Sequence, residues 1–204
     1  MRSIFNPTFM FRLLFRPTEM FENLAQIRPT PGAVFFGVAL WLIALPPVFA
    51  FIGSINSGWN LGAGEPVRLP VSTLALISVA YFVLILIGFF SSALLSYWMS
   101  SEYGARHSIG IHFALITVVG APLVVGSLAH LYPHAFVNVV VLVPIVMWSM
   151  YLLYKGLPVV LRTTPQQGML MASSLIGYLL VAFVSLLGIT VVLWINGLGP
   201  RIGI

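Results

Sequence analysis

Residues 109–154 read IGIHFALITVVGAPLVVGSLAHLYPHAFVNVVVLVPIVMWSMYLLY, which is two apolar runs joined by a short link. Each run is close to the roughly 20 residues that an α-helix needs to cross a hydrocarbon core of about 30 Å. The link should turn the chain, because Pro133 cannot continue a helix. We therefore predict two membrane spans here, Ile109 to Ala129 and Ala135 to Tyr154.

Three further apolar runs lie outside this pair, from Ala33 to Ile55, from Val71 to Met99 and from Met169 to Ile195. The whole chain is 60% hydrophobic and only 6% charged, against roughly 25% charged residues in a soluble domain. So few charges cannot cover a water-soluble surface. The sequence therefore predicts an all-α polytopic membrane protein, a bundle of five transmembrane helices.

The basic residues divide unevenly when they are assigned to alternate sides of a five-span chain. One side receives Arg2, Arg12, Arg16, Arg28, Arg106, Lys155 and Arg162, and the other receives only Arg68 and Arg201. Basic residues favour the cytoplasmic side, so we expect a cytoplasmic N-terminus and a periplasmic C-terminus. Four spans would instead place Lys155 and Arg162 outside, so the charge pattern favours five.

This topology gives three segments along the chain. Residues 1–32 form a cytoplasmic N-terminal segment, residues 33–197 the five-span domain, and residues 198–204 a short external tail. Arginines interrupt the apolar residues near the N-terminus, so we expect no cleavable signal peptide there.

The segment before the first span has helical periodicity. Pro17 should separate it from the apolar residues before it, and Thr18 is a candidate N-cap. Its apolar face would contain Met20, Phe21, Leu24 and Ile27, and its polar face Glu19, Glu22, Asn23 and Gln26. We predict an amphipathic helix lying in the membrane interface, and the alternative is a mobile tail.

Several kinds of chemistry lack support in the sequence. All four acidic residues lie outside the spans, which disfavours an ion-driven pump. There is no cysteine, and no GxSxG, HExxH or phosphate-loop pattern occurs. His130 and His134 have a helical spacing that metal ligands use, but Pro133 interrupts that helix and no acid or cysteine is near. We expect no enzymatic activity, no cofactor, no metal and no nucleic-acid partner.

Two sets of residues in the spans invite a hypothesis. His112 could share one leaflet with Ser149, Tyr151 and Tyr154 in a small polar cluster, and the alternative is an interfacial histidine bonded to a neighbour. Small residues at four-residue spacing on the second span would allow close helix packing, mostly within the molecule, with a homo-oligomer as the alternative. These packing residues are Gly88, Ser92 and Ser96.

Three stretches resemble the Yip family, the Ypt/Rab-interacting-protein-like membrane proteins, and in particular its bacterial inner-membrane branch. They are Arg16-Pro17-Thr18-Glu19-Met20-Phe21, then Phe51-Ile52-Gly53 followed by Gly58-Trp59-Asn60-Leu61-Gly62, and Tyr151-Leu152-Leu153-Tyr154-Lys155-Gly156-Leu157-Pro158. The resemblance implies a five-span bundle with a cytoplasmic N-terminus. The eukaryotic members are linked to Rab GTPases and carry a longer cytoplasmic extension.

The leading functional hypothesis is a non-enzymatic membrane organiser or adaptor that contacts lipid, and other membrane or cytoplasmic proteins, through the N-terminal helix and the cytoplasmic connections. The alternative is a transporter or channel for a small solute or a lipid, with its site between kinked helices. Prolines within the predicted spans motivate the alternative, because each removes a backbone donor and bends its helix.

Overall fold

The computed structural model describes residues 9–60, 62, 65–105 and 108–195. Two short helices precede the membrane region, α1 (Phe9–Phe15) and α2 (Pro17–Gln26). Five helices are long and apolar enough to cross a membrane. They are α3 (Pro31–Ser57), α4 (Val71–Glu102), α5 (Ile109–Gly126, continued by a 3-10 turn Ser127–Leu131), α6 (Ala135–Leu161) and α7 (Pro165–Ile195).

The predicted number of spans is therefore confirmed. Arg2, Arg106, Arg201 and the predicted tail 198–204 lie outside the described residues. The helix α5 is the centre of the bundle, because 61% of its apolar window is buried, against 11–22% in the other four spans. Helices α3, α4 and α6 pack around it.

Helix α2 begins at Pro17, two residues before the start that an N-cap at Thr18 would give. Pro17 occupies its first turn, where the missing N–H would have no helical partner in any case. Arg16 is the N-cap and makes no side-chain cap bond, so the prediction of Thr18 as the cap is wrong. Pro17 separates α2 from α1, as expected.

The apolar face of α2 is covered by the protein. Met20, Phe21 and Leu24 are at most 2% exposed, and Ile27 is half-buried against the same core. The ring of Phe21 lies on Gly156 of α6, where an added Cβ would stand 2.5 Å from a ring carbon. This face is therefore not available to lipid, and the polar face points outward.

A second contact fixes α2 to the same end of the bundle. Helix α6 ends at Leu161, and its C-cap Arg162 adopts the left-handed conformation with φ 54°. The Arg162 guanidinium donates to the carbonyl of Ala25 at 3.2 Å. We call the end of the bundle that is formed by α1, α2 and the last residues of α6 the platform end.

The opposite end is closed by the connection between α3 and α4. Trp59 and Val67 exchange two backbone hydrogen bonds of 2.8 Å, and Asn60 bonds the backbone of Pro133 and Ala135 at 2.9 Å. These bonds tie the first connection to the link between α5 and α6. We call this end, residues 58–60, 62, 65–70 and 127–135, the loop end.

Candidate functional site

The residues of the predicted polar cluster make contacts with different helices. His112 is fully buried on α5, and its Nδ1 lies 2.8 Å from the Oγ of Ser96 on α4. Its ring meets Tyr97 edge-on, with centroids 5.7 Å apart. The histidine thus links α5 to α4 through Ser96, which is one of the residues predicted to pack helices together.

The other three cluster residues lie on α6. Tyr154 is hydrogen-bonded to Ser173 of α7 at 2.9 Å, while Tyr151 packs against Trp148 and lies 5.9 Å below the Lys155 amine. Both tyrosines are about 40% exposed. Ser149 is buried, and its Oγ has no hydrogen-bond partner.

Ser96 and His112 are a hydroxyl and an imidazole in contact, the pair that nucleophilic catalysis would need. Both are fully buried, and neither is on the wall of the two cavities described below. Among the described residues, no group of three or more His, Asp or Glu could hold a metal ion.

The small residues of α4 have different surroundings. Ser96 contacts α5, whereas Ser92 donates to the carbonyl of Gly88 in its own helix at 2.6 Å. At Gly88 nothing lies within 4 Å of an added Cβ, so no neighbouring backbone approaches there. Close backbone contact instead occurs at Gly53 and Gly110, which were not predicted for packing.

A cavity of about 530 Å³ lies between the five spans, and Gly88 is part of its wall. Its lining is largely aliphatic, with residues such as Ile85, Val146 and Leu175. The polar side chains on the wall are Tyr81, Ser92, Thr117, Ser127, His130 and Ser149. No Asp, Glu, Lys or Arg of the described chain lines it.

Toward the loop end the cavity meets a hydrogen-bonded network. His130 Nδ1 lies 2.5 Å from Asn138 Oδ1, and the Asn138 amide nitrogen faces the carbonyls of Tyr132 and His134. Since the amide oxygen only accepts, Nδ1 of His130 carries the hydrogen. The Nε2 atom on the other side of the ring lies 3.3 Å from the Tyr81 hydroxyl, within hydrogen-bond distance.

A second cavity of about 240 Å³ adjoins this network and is lined by Trp59 and Ser54 among others. Tyr81 and His130 are on the walls of both cavities. The pair therefore separates the central cavity from a smaller one at the loop end.

Sequence reasoning missed both cavities and the network. Asn138 is an amide near the start of an otherwise apolar span, and this signal could have pointed to a buried partner. Gly88 and Gly120 gave no such signal, because a glycine at an open wall and one at a tight contact look identical in sequence.

Comparison with known proteins adds a family likeness. The family model of the Yip1 domain matches residues 11–186. Over 163 residues the chain is 30% identical to the inner membrane protein YohC of Escherichia coli strain K12. The matched region covers 80% of this chain and 83% of that protein. YohC of Escherichia coli O6:H1 strain CFT073 is similar to the same extent. No solved structure matches the chain.

Proposed function

The chain belongs to the Yip1 domain family, and from this we propose that it is a non-enzymatic organiser or adaptor of the bacterial inner membrane. Its platform end would contact lipid headgroups and a partner protein in the cytoplasm. The related YohC is an inner membrane protein, and the proposal assigns a role at such a membrane to named residues of this chain.

One observation carries the proposal, namely the fixed orientation of α2. Its apolar side packs on the bundle, where the Phe21 ring lies on Gly156. The hydrogen bond from Arg162 to the carbonyl of Ala25 holds the helix in the same place. The exposed side is therefore held in one orientation, and its residues are Thr18, Glu19, Glu22, Asn23 and Gln26. A rigid polar face loses little conformational entropy on binding, which favours a docking surface.

The charges of the platform end fit two kinds of contact. Exposed basic residues there are Arg12, Arg16, Arg28, Lys155 and Arg162. Cations near a membrane surface attract anionic headgroups, by about 1 kcal/mol each. The acidic residues Glu19 and Glu22 lie on α2 itself, so a protein that docks on α2 would present basic groups to them.

The transporter alternative rests on the central cavity. Coupled transport of a polar solute usually places ionisable residues along the path, and the described cavity wall has no Asp, Glu, Lys or Arg. The adaptor role is therefore better supported than coupled transport of a polar solute.

The double substitution Glu19→Lys and Glu22→Lys should reduce binding of the partner at least about fivefold, because each reversal opposes the partner's basic groups. The measurement is in-cell photo-cross-linking from an unnatural amino acid at Asn23, with the cross-linked protein band quantified. Both glutamates are exposed, so the fold should persist.

Glu65→Lys at the loop end is the control for a charge reversal as such. It should leave the cross-linked band unchanged. Loss of the band in this control, or an intact band in the folded double variant, would exclude α2 as the docking face.

The proposal also requires the platform end to face the cytoplasm. A reporter that is active only in the cytoplasm should work when fused before α1, and a reporter that is active only in the periplasm should work when fused after α7. Five spans put the two ends on opposite sides, and the basic residues set the direction. Activity of the periplasmic reporter at the N-terminus would place α2 on the wrong side for this role.

A further inference from the structure

Two glycines widen the central cavity without serving a close contact. Gly88 on α4 and Gly120 on α5 both line it, and nothing lies within 4 Å of an added Cβ at either position. Glycine stabilises a helix less than alanine does. Larger side chains would fit at both sites, so close packing does not account for the glycines.

Ser149 differs from the other serine and threonine side chains on the cavity wall. Ser92, Thr117 and Ser127 donate to backbone carbonyls of their own helices at 2.6, 2.7 and 2.6 Å. The Oγ of Ser149 is buried, with the residue 6% exposed, and has no hydrogen-bond partner. A hydroxyl in apolar surroundings is unfavourable unless it is paired, so Ser149 is suited to donate to an oxygen of a ligand.

The residues of the cavity wall and the cavity volume also limit the charge and the size of such a ligand. Its two titratable groups in the described chain, Tyr81 and His130, are bonded to each other, and no fixed charge faces the space. An ionised headgroup would therefore be buried without a counter-charge, which is strongly unfavourable. The volume of about 530 Å³ lies within the range of small-molecule sites, about 300–1,000 Å³, which are mostly apolar with few polar groups.

We infer that the central cavity binds the hydrocarbon body of an uncharged membrane lipid, and that the Ser149 hydroxyl donates to a carbonyl oxygen of that lipid. This site lies apart from α2, so the inference does not depend on the adaptor role. The chemistry is shared by a diacylglycerol ester and by an isoprenoid quinone.

The structure offers such a lipid a lateral entrance. Leu179 is the last residue of α7 on the cavity wall, and the described side chains after it are exposed or half-exposed. Helix α7 packs on α4 and α6, and the buried apolar residues described for it, which include Met171, Leu175 and Ile176, all lie in its first half. In a bilayer the exposed apolar side chains of α7 would contact lipid, so lipids are the molecules at this entrance.

The test uses the full chain in nanodiscs of phosphatidylethanolamine and phosphatidylglycerol. The probe is a diacylglycerol with a diazirine on one acyl chain, and labelled peptides are mapped by mass spectrometry after illumination. Labels are expected on cavity-facing residues of α5 and α6, such as Thr117 and Met150. Competition with unlabelled diacylglycerol or with an isoprenoid benzoquinone identifies which source of the carbonyl is preferred.

Gly88→Leu combined with Gly120→Leu should lower this labelling at least about tenfold, since it fills the space that the acyl chain needs. Gly177→Leu on α7 is the matched control, because Gly177 is exposed, has open space around it and does not line the cavity. The control should label like the unaltered protein.

Ser149→Ala keeps the shape of the site and removes only the donor, so it tests the inference even if the double variant fails to fold. It should weaken binding about five- to tenfold, the effect of one lost hydrogen bond. Unchanged labelling in Ser149→Ala would overturn the role of the hydroxyl. Unchanged labelling in a folded double variant, labels confined to outward-facing residues, or cross-links between two copies of the chain through the opening would overturn the site itself.

Discussion

Phe21→Ala is expected to lower the free energy of unfolding by about 3–5 kcal/mol, the range for removing a large buried aromatic side chain. The ring is fully buried, and Gly156 of α6 lies directly beneath it. Alanine would leave a cavity between α2 and α6 that neither backbone can close. The measurement is unfolding of the purified protein in mixed micelles, with the folded fraction followed by circular dichroism.

Phe136→Ala removes the same atoms from an exposed site, because Phe136 is 70% exposed at the start of α6. It should change the free energy by no more than about 0.5 kcal/mol, as at other exposed positions. Equal effects of the two substitutions would mean that α2 is not docked on the bundle. A Phe21 ring inserted in lipid would instead weaken membrane association of the segment and leave bundle stability intact.

The number of spans could be predicted because apolar length is a strong one-dimensional signal. The predicted starts at Val71, Ile109 and Ala135 agree with the structure. The ends were placed less well, and α6 continues past Tyr154 to Leu161. Backbone hydrogen bonding does not stop where the apolar run stops, so hydropathy marks the membrane and not the helix end.

The packing of α2 could be predicted only in part. Periodicity identifies an apolar face, and Met20, Phe21 and Leu24 are indeed on one buried face. It does not say whether lipid or protein covers that face. The answer depends on Gly156, which is distant in sequence and carries no local sign that an aromatic ring lies on it.

The surroundings of His112 could not be predicted for a related reason. Helix α5 is apolar on all sides and buried on nearly all of them, so no periodic signal indicates which neighbour each side chain faces. The prediction placed His112 near Tyr151 and Tyr154, whereas its described bond is to Ser96. The rotation of a uniformly apolar helix is set by tertiary packing.

The same limit applies to glycine, and Gly53→Ala should show it by destabilising the protein by about 3 kcal/mol or more, at the upper end of overpacking effects. An added Cβ at Gly53 would overlap the carbonyl oxygen of His130 and stand 2.9 Å from the Cα of Leu131. Both contacts are backbone, so no side-chain rotation can relieve them. Helix α3 and the 3-10 turn would have to separate, which would also stretch the bond from His130 to Tyr81.

Gly177→Ala provides the opposite expectation, because nothing lies within 4 Å of an added Cβ there. Alanine is the better helix former, so stability should rise by about 0.5–1 kcal/mol. Unfolding in mixed micelles measures both variants on one scale. A difference in sign between two glycines that both lie inside apolar helices would show that the contact at Gly53, and not glycine content, holds the loop end together. Two changes of the same sign would mean that α3 can move away from the turn at little cost, and the closure of the loop end would then need another explanation.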